Sequence, residues 1–212
     1  MNHLFEALDY AGINILLENN PELANEGIAY DANNTTKAHP LHRICDGVFA
    51  GKYSDAEAVK LAKLFLDHGA DVNGGELVPQ KDSPLVAAAS LHADQVAMLY
   101  IVAGAEINHP GCHGGTALHW AAWCGRPELV KKLIEAGAEI NKLCGEFQST
   151  PLFWAVHGLR SGECNHLDEY KACVKMLLEA GVDKSVPNVE GHLPVELVRE
   201  DEELRGWLEV CL

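Results

Sequence analysis

Between Gly114 and Asn141 the hydrophobic pattern changes twice. Ala117–Trp123 is a short, mostly apolar run in which Ala121 and Ala122 present small faces, and Gly125 interrupts it. From Pro127 to Ala136, Leu129, Val130, Leu133 and Ile134 recur at helical spacing and form one stripe. Gly137 occupies the position of a left-handed helix C-cap, and Ala138–Ile140 reads as the start of an extended hairpin. Thr116 precedes the first run, and its hydroxyl can accept a hydrogen bond from a first-turn N–H, as an N-cap does. The pattern predicts helix, turn, helix, hairpin.

The same order recurs along the chain. The helix starts Pro40, Pro84, Ala117, Pro151 and Pro194 lie 44, 33, 34 and 43 residues apart. Proline suits a first helical position because the N–H it lacks has no partner there. The cap glycines Gly69, Gly104, Gly137 and Gly181 lie 35, 33 and 44 apart. Two units are thus long by about ten residues. The excess is assigned to the connection between paired helices, as inserts at 46–55 and 158–170. Second helices are expected over Ala56–His68 and Lys171–Ala180, and hairpin tips at Asp31–Thr36, Glu76–Lys81 and Leu143–Gln148. At the N-terminus Leu4, Phe5 and Leu8 predict a helix, Gly12 a turn, and Ile13, Leu16 and Leu17 a second helix. The acidic run Glu200–Glu203 reads as a solvated helix start.

Thr116-Ala-Leu-His-Trp-Ala-Ala122, followed by Gly137-Ala-Glu-Ile-Asn141, resembles the ankyrin repeat, whose signature is T-P-L-H-x-A at a period of about 33 residues. His39-Pro-Leu-His42, Ser83-Pro-Leu85, Thr150-Pro-Leu152 and Gly191-His-Leu-Pro194 match it in part. The resemblance implies an all-α helix-pair solenoid with short β-hairpin turns, stacked as about six units. The expected organisation is a single ankyrin-repeat domain over 1–212. Its parts are a cap unit at 1–25, repeats at 36–75, 80–110, 113–143 and 147–186, and a second cap at 189–212.

Charge and composition narrow the function. A net charge of −15 argues against nucleic acid, which needs a basic surface, and against anionic membranes. It permits attraction of a basic partner, and it also serves solubility. No apolar run reaches the length of a membrane span. The start Met-Asn-His-Leu-Phe-Glu lacks signal-peptide character, so a cytoplasmic location is expected. Seven scattered cysteines without a Cys-x-x-Cys do not suggest a disulfide framework.

In ankyrin proteins the hairpin tips and the exposed side of the first helices bind other proteins. Carried over residue by residue, this implies a partner-binding set of Asp46, Gln80, Asp82, Ser90, Cys112, His113, Trp123, Glu146, Phe147 and His157. Thr35, Thr36, Ala38, Pro79, Gly115, Ser149, Val189, Glu190 and His192 extend the tips. Trp123 leads the set, because large aromatics dominate interfaces; packing against a neighbouring element is the alternative for it. Trp120 and Trp154 are assigned structural roles, as are His42 and His119 at the motif's own histidine position. His109, Cys112, His113 and Cys144 are zinc-type ligands at spacings that match no standard site, and neither they nor His157, Cys164 and His166 are assigned a metal. Without a phosphate loop or a nucleophile motif, no catalysis and no cofactor are expected. The expected function is a non-catalytic, monomeric protein-binding module. The alternative is an acidic inhibitor that occludes a basic enzyme such as a toxin nuclease.

Overall fold

The computed structural model describes residues 2–30, 37–74, 82–161, 166–198 and 201–209. The expected tips at 31–36 and 76–81, with Thr35, Thr36, Pro79 and Gln80, lie outside the described residues, as do Cys164 and Glu200. The chain forms two compact units, Met1–Cys112 and His113–Leu212.

In the first unit α1 (Asn2–Glu6) and α2 (Tyr10–Asn19) are joined through Leu8, whose φ is +51°. Gly12 lies inside α2 rather than in the turn. The Asp9 carboxylate accepts its N–H at 2.9 Å, so the helix is capped three residues earlier than the glycine suggests. A 3₁₀ turn (Pro21–Ala24) leads to an antiparallel hairpin of β1 (Ile28–Ala29) and β2 (Lys37–Ala38), with Ile28 opposite Ala38. Two helix pairs follow: α3 (Pro40–Phe49) with α4 (Asp55–Asp67), and α5 (Pro84–Ser90) with α6 (Asp94–Val102). The second unit repeats the plan with α7 (Ala117–Trp123) and α8 (Pro127–Glu135), then α9 (Pro151–Ser161) and α10 (Leu167–Glu179). It ends in a 3₁₀ turn (Pro194–Leu197) and α11 (Glu202–Leu208).

The inserts correct the sequence reading. In the short pairs the helices have 7 and 9 residues; in the long pairs they have 10 and 13, or 11 and 13. Most of the excess is therefore helix, about one turn on each partner, and α10 starts at Leu167 rather than Lys171. The first helix continues because nothing stops it before Gly51, which sits at φ +66°. Tyr53 then folds back beneath the added turn. Its hydroxyl donates to the Ile44 carbonyl at 3.2 Å, and its ring fills the space where a Cβ on Gly47 would stand. Ser54 and Glu57 cap α4 reciprocally.

Helix ends follow one chemistry. Gly69, Gly104, Gly137 and Gly181 all have φ between +83° and +90°. In each case the glycine N–H and the next N–H return to the last turn, as with Gly137 to Ile134 at 3.0 Å and Ala138 to Leu133 at 3.0 Å. After Gly137 the chain makes a turn closed by Lys142 N–H to the Glu139 carbonyl, not the expected extended segment. Asparagines then tie one repeat to the next. Asn73 accepts from the Glu106 N–H 33 residues on at 2.8 Å, and Asn141 accepts from that of Asp183 at 2.7 Å. Asp55 serves α6 similarly, accepting from the N–H groups of Gln95 and Val96 at 2.7 and 3.2 Å where Ala93 has no side-chain cap to offer.

The first helices are the most buried elements. Pro84 to Ala89 and Pro151 to Val156 are buried throughout, and small residues let neighbouring helices approach closely. A Cβ on Gly158 of α9 would lie 2.2 Å from the Trp123 carbonyl of α7. Among the described residues no helix is long and apolar enough to cross a membrane.

Candidate functional site: an aromatic cleft

The repeat sets two rows of aromatic side chains side by side in the second unit. On α7, Trp120 and Trp123 are three residues apart and share a face. Trp154 and His157 occupy the same places on α9, 34 residues later. At the tips, Phe147 follows His113 by the same 34 residues. Backbone bonds hold the tips in line, with Glu146 N–H donating to the His113 carbonyl at 3.0 Å and Val189 N–H to that of Phe147 at 2.8 Å.

These side chains line one cleft of about 360 Å³. Trp154 forms its base, 4% exposed, with its indole N–H donated to Ser149 Oγ at 3.1 Å. Trp120, Trp123 and Phe147 stand edge-on to it, with ring centroids 5.1, 5.8 and 6.1 Å away. Trp123 also stacks on His157 at 4.9 Å. Phe153, Asn188, Val189 and Glu190 complete the lining. Phe147 is 41% and Val189 62% exposed, so the mouth is open to solvent.

Polar groups sit chiefly at the rim. His113 pairs with the Glu146 carboxylate, and Glu190 with His192 at 3.3 Å. Burial lowers the pKa of His157, and the nearby Arg160 lowers it further, so its imidazole is neutral at physiological pH. Trp120 Nε1 is buried and makes no hydrogen bond among the described residues.

His113, Trp123, Glu146, Phe147 and His157 therefore come together. Asp46, Asp82, Ser90 and Cys112 belong to the first unit and have engagements there. The Asp82 carboxylate accepts the Cys112 N–H at 2.7 Å, and the Ser90 hydroxyl donates to the Ala87 carbonyl at 3.2 Å. Asp46 lies in a pocket of about 240 Å³ with Arg43, Lys52 and Tyr53. Burial opposes its ionisation, but hydrogen bonds and charge from His42 and Arg43 prevail and lower its pKa. Ala38 and Gly115 are buried in the fold, and Ser149, also buried, lines the base of the cleft. Among the described residues, histidine, cysteine and carboxylate side chains do not gather in groups of three that could hold a metal ion.

Trp120 and Trp154, assigned to structure from the sequence, are lining residues, and Phe153 and Asn188 were missed. Their signal was present: the doublet Trp120/Trp123 recurs as Trp154/His157 at the repeat distance, which places four flat side chains on facing positions.

A family model described as ankyrin repeats (3 copies) matches residues 49–144 and 100–188. The putative palmitoyltransferase ZDHHC13 of Danio rerio is 37% identical over 97 residues, 46% of this chain and 14% of that protein. Palmitoyltransferase Hip14 of Drosophila melanogaster is 34% identical over 91 residues, 43% of this chain and 13% of that protein. Palmitoyltransferase ZDHHC17 of Rattus norvegicus is 38% identical over 91 residues, with the same shares. The chain thus spans 13–14% of the length of these relatives. With helix pairs that start at the T-P-L-H boxes and family-model matches across residues 49–188, the chain belongs to the ankyrin-repeat family.

Proposed function

We propose that this chain is a non-catalytic protein-interaction module that works as a monomer in the cytoplasm and holds a partner in the aromatic cleft of its second unit. One observation carries the reading. Trp120, Trp123 and Phe147 are gathered, incompletely buried, around the rigid base of Trp154. Clustered aromatic surface of this kind marks a recognition site, because flat rigid side chains bury much area at little entropic cost. The helices and capped turns hold the walls in place before binding, so little ordering entropy is lost on association. The reading of six repeat units, caps included, belongs to the same proposal. The inhibitor alternative rests on net acidity alone.

The test is capture from a lysate with immobilised wild type and a Trp123→Ala/Phe147→Ala variant, each at low and high salt. Circular dichroism first establishes that the variant is folded. A partner retained by wild type in high salt and lost by the variant supports the cleft. Partners shared by both proteins and released by salt would move the site to the acidic surface.

A further inference from the structure

The walls of the cleft meet at steep angles. Trp154 is inclined 83° to Trp120, 71° to Trp123 and 64° to Phe147. Rings so disposed do not form a stack, the cleft lies among them, and the face of an indole attracts a cation through its quadrupole. The described lining residues include no lysine or arginine, and Glu146 and Glu190 stand at the rim, paired with His113 and His192. The side-chain oxygens of Ser149 and Asn188 in the lining are already engaged. Ser149 Oγ receives the Trp154 N–H, and Asn188 Oδ1 receives the N–H groups of Glu190 and His192 at 3.1 and 2.9 Å.

This combination selects among cations. A bare ammonium carries three donors and firmly held water, and a guanidinium carries five donors. Either must find acceptors to replace its water, and the Ser149 and Asn188 oxygens of this cleft are already engaged. A methylated ammonium keeps its charge, sheds its donors and presents apolar methyl groups to the rings. Resting on the protein-binding reading above, we infer that the cleft takes the trimethylated ammonium of a lysine side chain on the partner protein. The cleft opens into a wider groove of about 830 Å³, sharing Phe153, His157, Asn188 and Glu190 with it. That groove adds Glu196 and Asp201, of which Asp201 is paired with Lys171 at 2.9 Å, and Arg160 is the one Lys or Arg among its described lining residues. It gives the peptide on either side of the lysine room, with the carboxylates of Glu190 and Glu196 on its walls.

The experiment follows the indole N–H signals of the whole chain by nuclear magnetic resonance. Three short acetylated Gly/Ser peptides are titrated to millimolar concentration: one with trimethyl-lysine, one with lysine, and one with the neutral carbon isostere of trimethyl-lysine. Choline is a fourth titrant. Trp207, on α11, is an internal reference. The trimethyl-lysine peptide is expected to shift Trp120, Trp123 and Trp154 saturably and leave Trp207 in place. Its affinity should exceed those of the lysine peptide and the isostere by about tenfold or more, the ratio a desolvated cation–π contact supplies. Trp123→Leu and Phe147→Ala should each lose the response while keeping the remaining signals dispersed. Equal binding of the isostere overturns the inference and leaves an apolar protein-binding cleft. Equal binding of lysine overturns the methyl selectivity, and tighter binding of choline overturns the protein source. If no titrant moves an indole, the inference falls, and the capture experiment decides the protein-binding reading by itself.

Discussion

Replacing His119 with glutamine should flatten the dependence of stability on pH in the mildly acidic range. His119 is fully buried. Its Nδ1 accepts from the Thr116 N–H at 3.1 Å and from the Thr116 hydroxyl at 2.9 Å, while Nε2 donates to the Ser149 carbonyl at 3.2 Å. A proton on Nδ1 would face two donors with a third. Burial lowers the pKa from 6.5 to about 4, outweighing the hydrogen bond to Ser149 that would raise it. For a basic group whose folded pKa is depressed, the unfolded chain binds the proton first. The stabilisation is therefore complete above pH 6.5 and is lost as pH falls toward 4. Integration of the linkage relation gives a loss of about 2 kcal/mol at about pH 5 and about 3 kcal/mol once the folded imidazole is also protonated. His39, likewise lowered to about 4 mainly by burial, adds a similar loss in the first unit. Urea denaturation of wild type and His119→Gln at about pH 7.5 and about pH 5 isolates the residue, because every other group cancels in the double difference. The variant should be less stable at the higher pH, and its deficit should shrink by about 2 kcal/mol at the lower. A deficit that is the same at both pH values would refute the argument, since the imidazole would then titrate alike folded and unfolded.

Three further substitutions probe the scaffold and the cleft. Gly158→Ala places a methyl 2.2 Å from the Trp123 carbonyl and should cost about 1–3 kcal/mol by forcing α7 and α9 apart; an unchanged melting temperature would contradict that packing. Asp55→Ala removes the acceptor for the first N–H groups of α6 and should cost about 1–2 kcal/mol, read by urea denaturation; hydrogen exchange should quicken at Gln95 and Val96. Phe147→Ala should change stability by under about 1 kcal/mol while abolishing partner capture, and a large loss of stability would make the ring a core residue instead.

How much of this was legible in the sequence depends on what each feature needs. Helix starts and cap glycines were readable because their chemistry is local: proline at a first helical position and glycine at positive φ answer to their own backbone. Hence the helices begin at Pro40, Pro84, Ala117 and Pro151, as the spacing predicts. The inserts were misread because an extra helical turn and an extra loop add the same number of residues. What separates them in the first insert is the burial of Tyr53 against Gly47, a packing contact that the spacing of the repeats does not reveal. Asp82 and Asp55 look like surface carboxylates in the sequence, and only the arrival of N–H groups from 30 and 40 residues away turns them into acceptors for the backbone of the next repeat. Trp123 shows the limit most plainly. Its position in the repeat points to the binding face, but its ring is stacked on His157 and set against Trp154. Packing therefore does not exclude the proposed recognition role for this residue. An indole held on one face by a neighbour loses rotamer freedom in the unbound protein, so a partner that meets its remaining surface has less entropy to overcome. On the proposed reading, the contacts that make Trp123 look structural are the ones that would prepare it to bind.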